Sequence, residues 1–186
     1  MGAKMYEHRD FKGKVWSTGN GAFATTISNF NDTISSIMVE PGYRVIAYEH
    51  VNFGGKYKIF EGNVTYVGDE FNDMISSFRV ERATLANAVK AEVYEHINYG
   101  GLCQQLLEGS YPQIDGLMFV GNDTISSIRV VPGYQLAAYE HINYGGRFVV
   151  YTSNTPALGD FNDVISSIIV RNANAPVLAA MPGTKR

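Results

Sequence analysis

One hexapeptide pattern, Asn-Asp-x-Ile-Ser-Ser, stands four times in this chain of 186 residues, at positions 31–36, 72–77, 122–127 and 162–167. Each copy offers an amide, one carboxylate, two hydroxyls and a turn whose backbone carbonyls can point inward. A hard cation such as Ca²⁺ takes six to eight oxygen donors of these kinds. The phrase holds neither thiolate nor imidazole, which disfavours softer metals. Asp32, Asp73, Asp123 and Asp163 are the candidate carboxylate ligands, and Ser35, Ser76, Ser126 and Ser166 the candidate hydroxyls. The competing reading is a plain loop in which Asn-Asp turns the chain and serines tie backbone groups. On one copy the plain loop would be preferred. Four fixed polar residues, each at ordinary usage, would meet at a given place about once in 10⁵ by chance, so four copies favour calcium.

Something must hold these loops in place. Inside each phrase an isoleucine (Ile34, Ile75, Ile125, Ile165) is placed to anchor the loop from below. After each comes a short β-rich run, Ile37 to Val39, Phe78 to Val80, Ile128 to Val130 and Ile168 to Val170. A second phrase opens each repeat: Tyr6 to Gly13 as YEHRDFKG, Tyr48 to Gly55 as YEHVNFGG, and Tyr94 to Gly101 and Tyr139 to Gly146 as YEHINYGG. The aromatic-x4-aromatic-x-Gly spacing predicts a strand that folds over in a tight hairpin. Its glycine takes positive φ and its two aromatics cover one another. His8, His50, His96 and His141 sit at one equivalent place in each hairpin. Catalysis needs different residues converging on one pocket, so these are read as solvated or locally bonded loop histidines. Glu7, Glu49, Glu95 and Glu140 are placed to approach the ion through backbone carbonyls, with carboxylates that are simply solvated.

The repeat length of about 45 residues marks an array of supersecondary units. Repeats one and two are joined by Pro41-Gly42-Tyr43, and three and four by Pro132-Gly133-Tyr134. An Ala-rich connection, Ala83 to Lys90, with a short helical turn allowed, separates the pairs. The expected organisation is a first domain at 1–82, a linker at 83–90, a second domain at 91–171 and a loosely packed tail at 172–186 containing Pro176 and Pro182. With 19 Gly, 12 Tyr, 10 Phe and 18% charged residues, the composition suits short strands and tight turns, hence an all-β fold.

A net charge of -3 without Lys/Arg clusters excludes the electrostatic footprint of a nucleic-acid binder. The single Cys103 excludes an internal disulfide framework and a multi-cysteine zinc site, and is read as a small residue at least half-buried. No apolar run reaches the length of a membrane span, and Met1-Gly2-Ala3-Lys4 lacks the apolar core of a secretory signal. The compartment stays open.

Together the two phrases resemble the halves of the βγ-crystallin Greek-key signature over residues 4 to 171, and YEHINYGG with NDxISS resembles microbial calcium-binding members in particular. The resemblance implies two domains, each a two-sheet sandwich of two Greek keys, in which paired loops clamp two calcium ions and each ion draws ligands from both loops. It implies fifth-position hydroxyls from Ser35, Ser76, Ser126 and Ser166 and side chains from Asp32, Asp73, Asp123 and Asp163. It further implies third-position carbonyls from Thr33, Met74, Thr124 and Val164, and hairpin carbonyls from Glu7, Glu49, Glu95 and Glu140. Ser36, Ser77, Ser127 and Ser167 match a structural serine that bonds the hairpin and not the ion. Two departures stand out. Arg9, Asp10 and Lys12 replace the residues of the other hairpins and are expected to loosen the first repeat, and repeat three carries a longer insert from Gly109 to Gly121. The expectation is a monomeric, calcium-stabilised structural or stress-associated protein with no enzymatic activity. A metal-independent structural crystallin stays open, as does a carbohydrate- or partner-binding module of a larger surface protein. Exposed aromatics such as Trp16, Tyr66 or Tyr111 would favour the latter.

Overall fold

The structure, a computed structural model, describes residues 1–26, 30–84, 86–114 and 119–175. The chain divides into two compact units, Met1–Leu85 and Ala86–Arg186. Among the described residues helical structure is limited to single 3₁₀ turns. The fold is all-β.

The first unit contains β1 (Ala3–His8), β2 (Lys12–Thr18), β3 (Gly21–Phe23), β4 (Ser36–Val39), β5 (Tyr43–His50), β6 (Gly54–Phe60) and β7 (Ser77–Arg82). They form two antiparallel sheets, ordered β2-β1-β4 and β3-β7-β5-β6. The second unit repeats the plan with β8 (Ala91–His96), β9 (Gly100–Leu106), β10 (Gly109–Tyr111), β11 (Ser127–Val130), β12 (Tyr134–His141), β13 (Gly145–Tyr151) and β14 (Ser167–Asn172). Its sheets run β11-β8-β9 and β10-β14-β12-β13.

In each unit the two repeats exchange their third strand. β3 of the first repeat pairs with β7 of the second, and the corresponding stretch of the second repeat bridges Ile37 through Val64. β10 with β14, and Thr155 with Ile128, do the same in the second unit. Neither repeat closes its sheets alone, so the unit of folding is the pair. Period-two alternation along the strands puts one face of every sheet inward. Val45, Ala47, Phe78 and Val80 fill the first core, and Val93, Leu136, Ala138 and Ile168 the second. The four loop isoleucines are at most 1% exposed and seat each hexapeptide on its core.

The opening hairpins are sharper than their spacing indicates. At each tip the residue before the aromatic and the aromatic itself both have positive φ, as at Asn98 (57°) and Tyr99 (63°), and the glycine follows. Left-handed backbone is costly for an aromatic and persists only where the surroundings over-determine it. Here the edge-on stack of Tyr94 on Tyr99, at 5.7 Å between ring centres, helps hold it, and the other three hairpins repeat that contact. Gly101 has φ of 72°, and a Cβ there would lie 2.9 Å from both Glu95 Oε2 and the His96 ring. Gly101→Ala should therefore lower the stability of the second unit by about 1–3 kcal/mol, combining left-handed strain with this crowding. Urea unfolding of the full chain checks this, and an unchanged midpoint would refute it.

The connection between the units holds turn and no helix among its described residues. Its ends are absorbed into the units, with Ala83 N–H bonded to Gly42 O and Lys90 N–H to Leu106 O. Of the expected loose tail, Asn172 closes β14 and Ala173 N–H bonds Gly133 O, while residues 176–186, with Pro176 and Pro182, lie outside the described residues. In the repeat-three insert, Gly109–Tyr111 is the exchanged strand β10, and 115–118 lie outside the described residues.

Candidate metal centre

The hexapeptides of one unit face each other. In all four, the Asp has φ between 52° and 55°. This left-handed turn is tolerated by Asp and Asn better than by most residues. The preceding Asn then donates its side-chain amide to Oδ2 of that Asp, at 2.6–2.8 Å in every copy. The first-position amide is thus an orienting group for the carboxylate and leaves Oδ1 for another partner.

That partner comes from the opposite loop. Ser76 Oγ donates to Asp32 Oδ1 at 2.9 Å. In the second unit the exchange is reciprocal, Ser126 to Asp163 at 3.2 Å and Ser166 to Asp123 at 3.0 Å. Backbone bonds run the same way, from Asp123 N–H to Ile165 O and from Asp163 N–H to Ile125 O. Ser35 instead donates to the carbonyl of Glu7 in its own hairpin, at 2.9 Å. Glu7, Thr33 and Ser35 line one hollow of about 270 Å³ together with Asp32 and with Asp73 of the opposite loop.

The donor chemistry of this hollow fits a hard cation: carboxylate, hydroxyl and backbone carbonyl oxygens, open to water for the remaining positions. Two buried oxygens of these loops, Thr33 Oγ1 and Asn72 Oδ1, have no hydrogen-bond partner in the protein. Among the described residues no three His, Cys, Asp or Glu side chains gather, so a site here must draw on hydroxyls and carbonyls. Of the third-position residues, Thr33 lines the hollow; Met74, Thr124 and Val164 are half-buried, Val164 packing on the core of its unit.

The glutamates have a role that reading them as solvated missed. Each carboxylate accepts a backbone N–H seven residues on, from Lys14, Lys56, Leu102 and Arg147, at 3.1–3.2 Å. This closes the hairpin and aims the same residue's carbonyl at the loop, as the Ser35 bond to Glu7 O shows. The Lys14 N–H holds the Glu7 carboxyl below its ordinary pKa, and the Arg147 guanidinium, followed by its backbone N–H, does so for Glu140. A glutamate at a fixed interval from a hairpin N–H is the signal that could have shown this.

The sixth-position serines behave as the resemblance implies. Ser36, Ser77, Ser127 and Ser167 are fully buried. Each donates to the carbonyl of the hairpin histidine at 2.5–2.6 Å. Each accepts the N–H of the left-handed aromatic at 3.0–3.1 Å. The histidine side chains project outward, those of His50 and His96 being 65% exposed. Trp16, Tyr66 and Tyr111 are half-buried and engaged. Trp16 packs on Phe23, Phe30 and Phe78, Tyr66 donates to Asp69, and Tyr111 exchanges hydrogen bonds with the Leu107 backbone.

Paired Greek keys with exchanged third strands, a serine-pinned folded hairpin and facing oxygen-rich loops define a two-unit crystallin-type protein. A family model described as Beta/Gamma crystallin matches residues 2–80 and 44–131. The chain belongs to the beta/gamma crystallin family. It is 27% identical over 169 residues to the development-specific protein S of Myxococcus xanthus, covering 88% of this chain and 95% of that protein. A homolog of protein S from the same organism is 30% identical over 139 residues, covering 74% and 78%. The epidermal differentiation-specific protein of Cynops pyrrhogaster is 36% identical over 129 residues, covering 66% of this chain and only 35% of that longer protein. Among solved structures, the solution structure of protein S complexed with calcium is similar at a TM-score of 0.53 and 27% identity, over 91% of this chain and 99% of that one. No helix among the described residues is long and apolar enough to cross a membrane.

Proposed function

We propose that the chain binds calcium, two ions in each unit, and that calcium stabilises it as a structural or stress-associated protein without catalytic activity. The observation that carries this reading is the Ser-to-Asp pairing across facing loops, which brings a hydroxyl and a carboxylate from different repeats to one place. In the first unit, Ser35, the Thr33 and Glu7 carbonyls and Asp73 would hold one ion, and Ser76, the Met74 and Glu49 carbonyls and Asp32 the other. In the second unit, Ser126, the Thr124 and Glu95 carbonyls and Asp163 form one set, and Ser166, the Val164 and Glu140 carbonyls and Asp123 the other. Each ion supplies positive charge shared by two loops. The calcium complex of protein S adds support from a relative with the same two-unit plan.

One carboxylate per site implies binding weaker than in carboxylate-rich loops, in the range of about 10⁻⁶ to 10⁻⁴ M. At a hundredfold excess over the dissociation constant, each independent site stabilises the folded form by about 2.7 kcal/mol. Calorimetric titration should count four ions. The melting temperature should rise on the order of 10 °C between chelator and saturating calcium. Absence of binding heat together with one melting temperature in both conditions would sink the proposal.

A further inference from the structure

The first hairpin departs from the other three, and its departures converge on one cluster. The Arg9 guanidinium lies 3.5 Å above the centre of the Tyr66 ring and 3.6 Å from the Asp69 carboxylate, and Tyr66 OH donates to that same carboxylate. Arg9 belongs to the first repeat, and Tyr66 and Asp69 to the second. The backbone link under this cluster, Asp10 N–H to Thr65 O, is common to all hairpins, recurring as Asn52 to Ala24, Asn98 to Pro156 and Asn143 to Pro112. The clasp is additional. At its place the other hairpins expose Val51, Ile97 and Ile142, at 47%, 55% and 51%. In the second unit Ala157 and Asp160 hold the positions of Tyr66 and Asp69 when Thr155 is set against Val64. The expectation that Arg9 and Asp10 loosen the first repeat is therefore reversed, since Asp10 keeps the tip geometry of Asn52 (φ 58° against 57°) and Arg9 ties the tip down.

Both ends of the clasp lead into the candidate site. Arg9 directly follows Glu7 and His8, which line the hollow. On the other side, Asp69 lies in a turn closed by Phe71 N–H and Asn72 N–H on Gly68 O, and that turn runs straight into Asp73. Lys58 secures the segment, bonding Val67 O and Glu70, while Val67 N–H bonds Ser35 O of the opposite loop. We propose that Arg9, Tyr66 and Asp69 are positioning residues that hold the two halves of the first unit's calcium clamp in register before calcium arrives, so that this unit fills at lower calcium than the second. The inference rests on the calcium reading above. A site whose competent arrangement is already populated binds with less penalty than one that must be ordered first. A guanidinium stacked on an aromatic ring and paired with a carboxylate is a planar contact that aliphatic residues cannot replace.

Residue-resolved NMR of the full chain, titrated with calcium, tests this. The amides of Ile34 and Ile75 report the first unit, and those of Ile125 and Ile165 the second. In the parent chain the first pair should reach its midpoint at lower calcium. Arg9→Ile and Tyr66→Ala, which install the residues of the second unit, should each raise the first-unit midpoint about threefold to tenfold and leave the second unchanged. A calcium response that both variants reproduce at the parent's midpoint overturns the positioning role alone. If no amide of the parent chain responds to calcium, the calcium reading falls and this inference falls with it.

Discussion

Ser35→Arg combined with Ser76→Arg should cut the calcium stoichiometry of the full chain from four to two and leave the second unit's response intact. Each substitution removes a hydroxyl and puts a fixed positive charge where a divalent cation would sit. At 4 Å and an effective dielectric of about 20, a unit charge repels a divalent ion by about 8 kcal/mol. This matches or exceeds the whole binding free energy at dissociation constants of 10⁻⁴ to 10⁻⁶ M, about -5.5 to -8 kcal/mol. In chelator the double variant should unfold close to the parent, because the guanidinium at position 76 can pair with the Asp32 carboxylate that Ser76 bonds, and the one at position 35 with the Asp73 carboxylate that lines the same hollow as Ser35. The effect should then appear only when calcium is added. Trp16, the single tryptophan, packs against Phe30 beside the first hexapeptide, so its emission follows the first unit during melting. Its transition should become insensitive to calcium, while far-UV circular dichroism still shows the second unit moving upward. Retention of four ions by the double variant would refute the assignment of these serines.

The parts of this protein legible in its sequence are those that repeat. Four isoleucines seated on the cores and four aromatic pairs follow from spacing, because identical local problems are solved with identical residues, and the four buried serines behind the hairpins follow from the family resemblance. The resemblance implied that the loops pair, but which side chain meets which across a pair depends on partners far along the chain and was not legible. That Ser76 pairs with Asp32, 44 residues away, follows only once the exchanged strands set the two loops face to face. The Asn amide and the Glu carboxylate were visible as repeated residues, but their work lies in orienting a neighbour, and composition does not reveal an orientation. The clasp at Arg9 was misread for a related reason. A charged residue in place of an exposed isoleucine looks like loss of packing until its partners, Tyr66 and Asp69, are seen from the next repeat. Where repeats depart from one another, the meaning of the departure depends on the contact surface and not on the local phrase.

Adjacent serines in one hexapeptide should fail in opposite ways, and this separates structure from binding within a single loop. Ser127 is fully buried; it accepts the Tyr99 N–H at 3.0 Å and donates to His96 O at 2.6 Å. Ser127→Ala leaves both backbone groups without their partner at a corner already strained by two left-handed residues. An unsatisfied buried group costs about 1–3 kcal/mol. Water reaches part of this exposed tip, so the expected loss is about 2–3 kcal/mol for the pair, equal in chelator and in calcium. Ser126 donates to the Asp163 carboxylate at 3.2 Å, and Asp163 is exposed. Water can replace that bond, so Ser126→Ala should cost less than about 1 kcal/mol in chelator. It should nonetheless weaken binding of one of the two ions proposed for the second unit about tenfold to a hundredfold, because a neutral methyl offers no oxygen to a hard cation. Paired urea unfolding curves with and without calcium distinguish the two roles. A Ser127→Ala loss that calcium abolishes, or a Ser126→Ala loss that is the same in both conditions, would show that the division of labour between neighbouring hydroxyls is wrong. The arrangement has a physical rationale. The sixth position faces the hairpin because the strand that begins there alternates faces, which leaves the fifth position turned toward the opposite loop at Ser76, Ser126 and Ser166, so a single peptide step divides the residue that builds the corner from the residue proposed to meet the ion.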